Sequence, residues 1–128
     1  MCVALFLQTA VPVCRAAEAS SVAGTWRGQS VCTTDNPACQ NETVVYYIKD
    51  VPDRPDLVFI QADKIVNGKA ITMGSGQWRQ DRAEHTLEWR MPQRVWLLKI
   101  TGNRIEGTLT LADKTIARKM TLDKDESR

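Results

Sequence analysis

The stretch SSVAGTWRGQSVC, residues 20–32, decides how the rest of the chain is read. Gly24 and Gly28 stand two positions either side of Trp26, and Val22 falls on the same alternation. In an extended strand successive side chains point to opposite faces, so Val22, Gly24, Trp26 and Gly28 share one face. An indole between two residues without side chains has room to lie flat across a narrow barrel. The reading is a first strand, with Trp26 closing the floor of a small all-β fold.

Ahead of this strand the chain changes character. The run from Val3 to Val13 in MCVALFLQTAVPVCRAA is apolar but too short to span a bilayer, and it fits the apolar region of a secretory signal. Pro12 and Arg15 argue against an additional strand there. Small residues offer two cleavage points, after Ala19 or after Ala16. The expected signal peptide is therefore 1–19, or 1–16, and a single barrel domain fills 20–128. A lipid anchor at Cys14 is disfavoured, because Val11-Pro12-Val13 makes a poor lipoprotein signal. The expectation is a periplasmic or extracellular protein without a membrane span.

Cysteine usage agrees with export. Cys2 and Cys14 leave with the leader, while Cys32 and Cys39 remain and read as a disulfide. The segment CTTDNPAC can turn back on itself at Asp35-Asn36-Pro37. Closing so short a loop contributes about 2–3 kcal/mol on chain-entropy grounds. A metal site is not expected, since no other His or Cys stands near to complete a ligand set. With 128 residues, a net charge of +2 and no block of like charges, nothing suggests nucleic acid or an anionic membrane as a partner.

Beyond Cys32, apolar residues recur mostly at a period of two between turn signals. Ile105, Gly107, Leu109 and Leu111 take one face of NRIEGTLTL; Leu87 and Trp89 take one face of HTLEWRM; Trp96, Leu98 and Ile100 take one face of RVWLLKI. TVVYYIKD is β-branched and aromatic throughout, which suits a half-buried strand. Turns are expected at Pro52–Pro55, Asn67-Gly68, Asp81-Arg82, Met91–Gln93, Gly102-Asn103 and Asp113-Lys114, where several residues tolerate positive φ. The count is eight to nine short strands, with no convincing helix of ten residues or more. An antiparallel up-and-down barrel follows.

The last strand, KTIARKMTL, carries a conflict. Alternation turns Ile116, Met120 and Leu122 inward with Arg118 among them, and a guanidinium on an apolar face is costly unless it is hydrogen-bonded or stacked. The expected solution rests Arg118 on the indole of Trp26.

A Gly-X-Trp start with a cation from the last strand across its Trp resembles the calycin superfamily of lipocalins, fatty-acid-binding proteins, avidins and small bacterial metalloprotease inhibitors. Gly24, Trp26 and Arg118 carry that resemblance. Over most of the mature chain, GTWRGQSVC, PACQNETVVYYI, QADKIVNGKAITMG and RIEGTLTLADKTIARKMTL look like a family of uncharacterised small secreted bacterial proteins. The resemblance implies export and a barrel, and supplies no catalytic residues.

Enzymatic chemistry finds little purchase. His85 sits in a hairpin turn with no nucleophile beside it. Glu84 and Glu88 look outward rather than forming an acid–base pair, and TMGSG lacks the lysine and helix of a P-loop. Asn41-Glu42-Thr43 fits a glycosylation pattern, which is a chance match if the host is bacterial, as the resemblance implies. The chain is read as non-enzymatic, with no cofactor.

Of the aromatic set Tyr46, Tyr47, Phe59, Trp78, Trp89 and Trp96, most are expected to fill the core. The first functional expectation is a binding module for a small apolar or amphipathic ligand, with Trp89, Trp96 and Leu98 as lining. The alternatives are a secreted protease inhibitor that inserts an N-terminal arm, or an envelope protein-interaction module.

Overall fold

The computed structural model describes residues 21–125; the expected leader, with Cys2 and Cys14, lies outside the described residues. Eight strands follow one another: β1 (Gly24–Cys32), β2 (Glu42–Val51), β3 (Arg54–Val66), β4 (Lys69–Asp81), β5 (Thr86–Met91), β6 (Arg94–Thr101), β7 (Arg104–Leu111) and β8 (Ile116–Lys124). Each pairs antiparallel with the next, and β1 pairs with β8, so the sheet is a closed up-and-down barrel. Among the described residues there is no helix, and so none long and apolar enough to cross a membrane.

The turns form where the sequence places them. Asn67 and Gly68 both adopt left-handed φ (53° and 79°), the conformation that matches a two-residue hairpin to the twist of its strands. Asp53, Gly102 and Lys114 supply left-handed residues to three other connections.

Alternation also sorts the core. Trp26, Val44, Tyr46, Ile48, Val58, Ile60, Trp78, Leu87, Leu98, Ile105, Met120 and Leu122 are buried together. Large aliphatic and aromatic side chains therefore occupy much of the barrel interior, each stabilising the fold by about 1.5–3 kcal/mol through removal from water. One inward assignment changes. The register of β7 against β8 slips between Leu109 and Thr110, where Arg118 faces Leu109 but Ile116 faces Thr110. The slip reverses the parity of the first residue of β8, and Ile116 is exposed.

The barrel has two unlike ends. The disulfide end gathers the β1–β2, β3–β4, β5–β6 and β7–β8 connections. There Cys32 and Cys39 are bridged, with Cα atoms 6.2 Å apart. Asn36 makes the turn inside the bridged loop: its carbonyl accepts from the Cys39 N–H (3.0 Å) and its side chain from the Ala38 N–H (2.9 Å). The opposite end gathers Ser21–Ala23 with the β2–β3, β4–β5 and β6–β7 turns.

Candidate functional site

Trp26 lies at the end away from the disulfide and is 1% exposed. Its indole N–H donates to the Val22 carbonyl at 2.9 Å, so the ring is buried without an unpaired donor. The cation over it differs from the expected one. In the β1–β8 register Trp26 faces Lys124, whereas Arg118 faces Cys32. Six residues of strand separate those two positions, about 20 Å, beyond the reach of an arginine. Lys124 places its Nζ 5.6 Å from the Trp26 ring centre. A Cβ on Gly24 would stand 2.8 Å from Lys124 Cε, so Gly24 makes room for the lysine stem.

Arg118 instead fastens the disulfide loop to the barrel. Its guanidinium donates to Ser30 Oγ (2.8 Å), to the Ser30 carbonyl (3.4 Å) and to the Gln40 carbonyl (2.8 Å), with Glu42 at 3.9 Å. Those acceptors resolve the cost of a cation on an inward face without any aromatic ring. The Cys32 N–H donates to the Asn41 side chain (2.8 Å), and Thr33 bonds to both Ala117 and Ile116. The β1–β2 loop is thereby held against the start of β8.

No protein-family model and no curated protein matches this chain.

The expected lining residues separate into core and surface. Leu98 is fully buried and packs in the core. Trp89 and Trp96 face each other across β5 and β6 and are only partly buried against that core. They stand beside a break in the sheet. β4 pairs with β3 from Arg79 to Lys69, but with β5 only through Arg79, Gln80 and Asp81. Beyond that short seam the two strands part. Trp78 marks the base of the gap, its ring 5.7 Å from Trp89 and 6.5 Å from Tyr46. Above it, Gly74 and Gly76 share the inward face of Trp78, and a Cβ on either would meet no other atom within 4 Å. An inward sheet face is thus left unfilled beside two partly buried indoles. The glycine alternation in TMGSGQW was the available sequence signal for this gap.

Two further features bear on chemistry. Among the described residues no three His, Cys, Asp or Glu side chains come together as a metal site. Tyr46, buried beneath the gap with its hydroxyl on Met120 Sδ (3.5 Å), is raised from the ordinary phenol value of 10.0 to about 12. Desolvation is the main cause, Glu42 adds to it, and Arg118 opposes it. Because the folded chain holds the neutral phenol, its contribution to stability is complete below about pH 10 and is lost as pH rises toward 12, roughly 2–3 kcal/mol in all. A titration at 295 nm should show one of the two tyrosines ionising late. Tyr46→Phe should flatten the fall in stability between pH 10 and 12; an unchanged fall would place its cause elsewhere.

Proposed function

We propose that this chain is an exported, non-enzymatic binding barrel of the calycin type, taking a small apolar or amphipathic molecule into the gap between β4 and β5. The observation that carries the reading is the unfilled inward face at Gly74 and Gly76 beside the partly buried Trp89 and Trp96. Pockets for small organic ligands combine such apolar and aromatic walls with a few polar groups. A flat apolar body laid on Trp96 and Trp89 would remove ring surface from water and fill the space that the two glycines leave. The bridged Cys32–Cys39 pair fits an oxidising compartment, which supports the export part of the reading.

The inhibitor alternative has less support. Val22 is buried, and the Ser21 hydroxyl lies 3.4 Å from the Asp50 carboxylate, so residues 21–22 are tied to the barrel. An inhibitory arm would have to precede Ser21.

The test uses a neutral apolar fluorophore, N-phenyl-1-naphthylamine, titrated into protein isolated in its oxidised form. Saturable binding at one site is expected. Gly76→Leu should fill the gap and weaken binding about tenfold, equivalent to about 1.4 kcal/mol, while leaving the denaturant midpoint in place. Trp96→Ala should also weaken it. Absence of saturation, or equal affinity in the Gly76→Leu protein, would count against the gap as the site.

A further inference from the structure

The end of the barrel opposite the disulfide holds a second concavity with different chemistry. It has a volume of about 630 Å³ and lies between Ser21-Val22, the β4–β5 turn, the end of β6, the β6–β7 turn and the end of β8. That volume is within the range of sites for small organic ligands, about 300–1,000 Å³. Its base is apolar, formed by Val22, Trp26 and Ile100. Its lining also includes Lys99, Lys124 and His85, and no Asp or Glu. We propose that this pocket binds an organic oxyanion, a carboxylate or phosphate group on a compact apolar body.

Charge distribution is the first argument. Five cations of the barrel have acidic partners, in Arg54–Asp56, Lys64–Glu42, Arg90–Glu88, Arg104–Asp123 and Arg118–Glu42, and none of the five lines this pocket. Among the described residues neither Lys99 nor Lys124 has a carboxylate within 4.0 Å. Lys99 Nζ donates to the Glu84 carbonyl at 2.9 Å, and Lys124 Nζ lies 3.5 Å from the Ser21 carbonyl. An ammonium carries three donors, so each lysine retains hydrogens for a ligand. Asp123 and Asp125 flank Lys124 in sequence, but neither lines the pocket.

Rigidity is the second. The Ile100 N–H donates to the His85 carbonyl (2.9 Å), which joins the β4–β5 turn to β6. The Lys124 N–H donates to the Asn103 carbonyl (2.9 Å), which joins the β6–β7 turn to β8. His85 holds a left-handed φ of 60° within that bonded frame. The walls are therefore fixed before any ligand arrives, which lowers the entropy lost on binding. Lysines act as point charges rather than as planar forks, so the pocket accepts either oxyanion geometry. Thr101 and Asn103 add neutral hydrogen-bonding groups, and Val22 and Ile100 offer contact to an organic body.

The test follows backbone amides of ¹⁵N-labelled oxidised protein while sodium benzoate or inorganic phosphate is added against sodium chloride at matched ionic strength. Amides of Lys99–Asn103 and Lys124 should shift and saturate with benzoate, with phosphate or with both; the pattern separates carboxylate from phosphate preference. Lys99→Gln should weaken the binding about fivefold, the range expected for a charge pair near the surface, and added salt should weaken it further. Lys124→Gln should act in the same direction; Lys99→Gln keeps the test valid if loss of the Trp26 contact unsettles the fold. Binding of N-phenyl-1-naphthylamine at the opposite gap should be indifferent to Lys99→Gln. Shifts that grow linearly, equal chloride, or persist unchanged in Lys99→Gln would overturn the proposal.

Discussion

Trp26→Ala is expected to lower the stability of the folded chain by about 3–5 kcal/mol, the range for truncating a large buried aromatic. The indole is 1% exposed, its N–H is bonded to the Val22 carbonyl, and its ring lies beneath Lys124. Truncation removes the packing, leaves the Val22 carbonyl without its donor and takes away the ring under the lysine. Urea melts followed by far-ultraviolet circular dichroism measure the loss. A change below about 1 kcal/mol, well under the truncation range, would contradict a buried floor.

The second large effect is expected at Gly28. A Cβ there would lie 1.8 Å from the Thr121 carbonyl oxygen and 2.8 Å from Leu122 Cα, both backbone atoms of the neighbouring strand. No rotamer can relieve a collision between two backbones, so Gly28→Ala must force β1 from β8 at the seam that closes the barrel. A loss of about 3 kcal/mol or more is expected, at or above the top of the usual overpacking range. Gly76→Ala is the matched control. Its Cβ meets nothing within 4 Å, so its stability should stay within about 1 kcal/mol of the original, the scale of glycine's backbone entropy. Similar melts for the two variants would mean that the β1–β8 seam is not tight.

Much of this architecture was legible as alternation. Leu87, Trp89, Trp96, Leu98, Ile105 and Leu122 face inward as a period of two requires. The turn residues mark the strand boundaries closely. What alternation cannot supply is position along the barrel axis. Arg118 and Lys124 both lie on the inward face of β8, and the choice between them depends on register. Antiparallel closure sets the beginning of β1 against the end of β8, which brings Lys124 rather than Arg118 to Trp26. The same limit applies to Leu98, whose inward parity is right but whose depth makes it core rather than lining. Ile116 departs for another reason, since a local register slip changes which residues are opposite one another and leaves no mark in composition.

The gap between β4 and β5 and the lysine pocket were harder to foresee. The first depends on where pairing stops, although Gly74 and Gly76 hint at an unfilled face. The second draws Ser21-Val22, His85, Lys99–Asn103 and Lys124 together from distant parts of the chain, and no short motif joins them.

Closure of β1 on β8 also orders the folding of this chain in time. Every other pairing joins consecutive strands and can form soon after its hairpin turn is made. The seam that sets Trp26 against Lys124 joins the two extremes of the barrel and must overcome the entropy of the longest loop. Contacts of such separation make barrels slow to fold compared with proteins built from local contacts. During synthesis at about 5–20 residues per second, Lys124 follows Cys32 by roughly 5–20 s. Throughout that interval β1 can pair with β2 but has no partner on its other side. An unpaired edge is open to pairing with other chains. The most vulnerable moment for this protein therefore comes before its last strand arrives, when hairpins are present but the circle is still open.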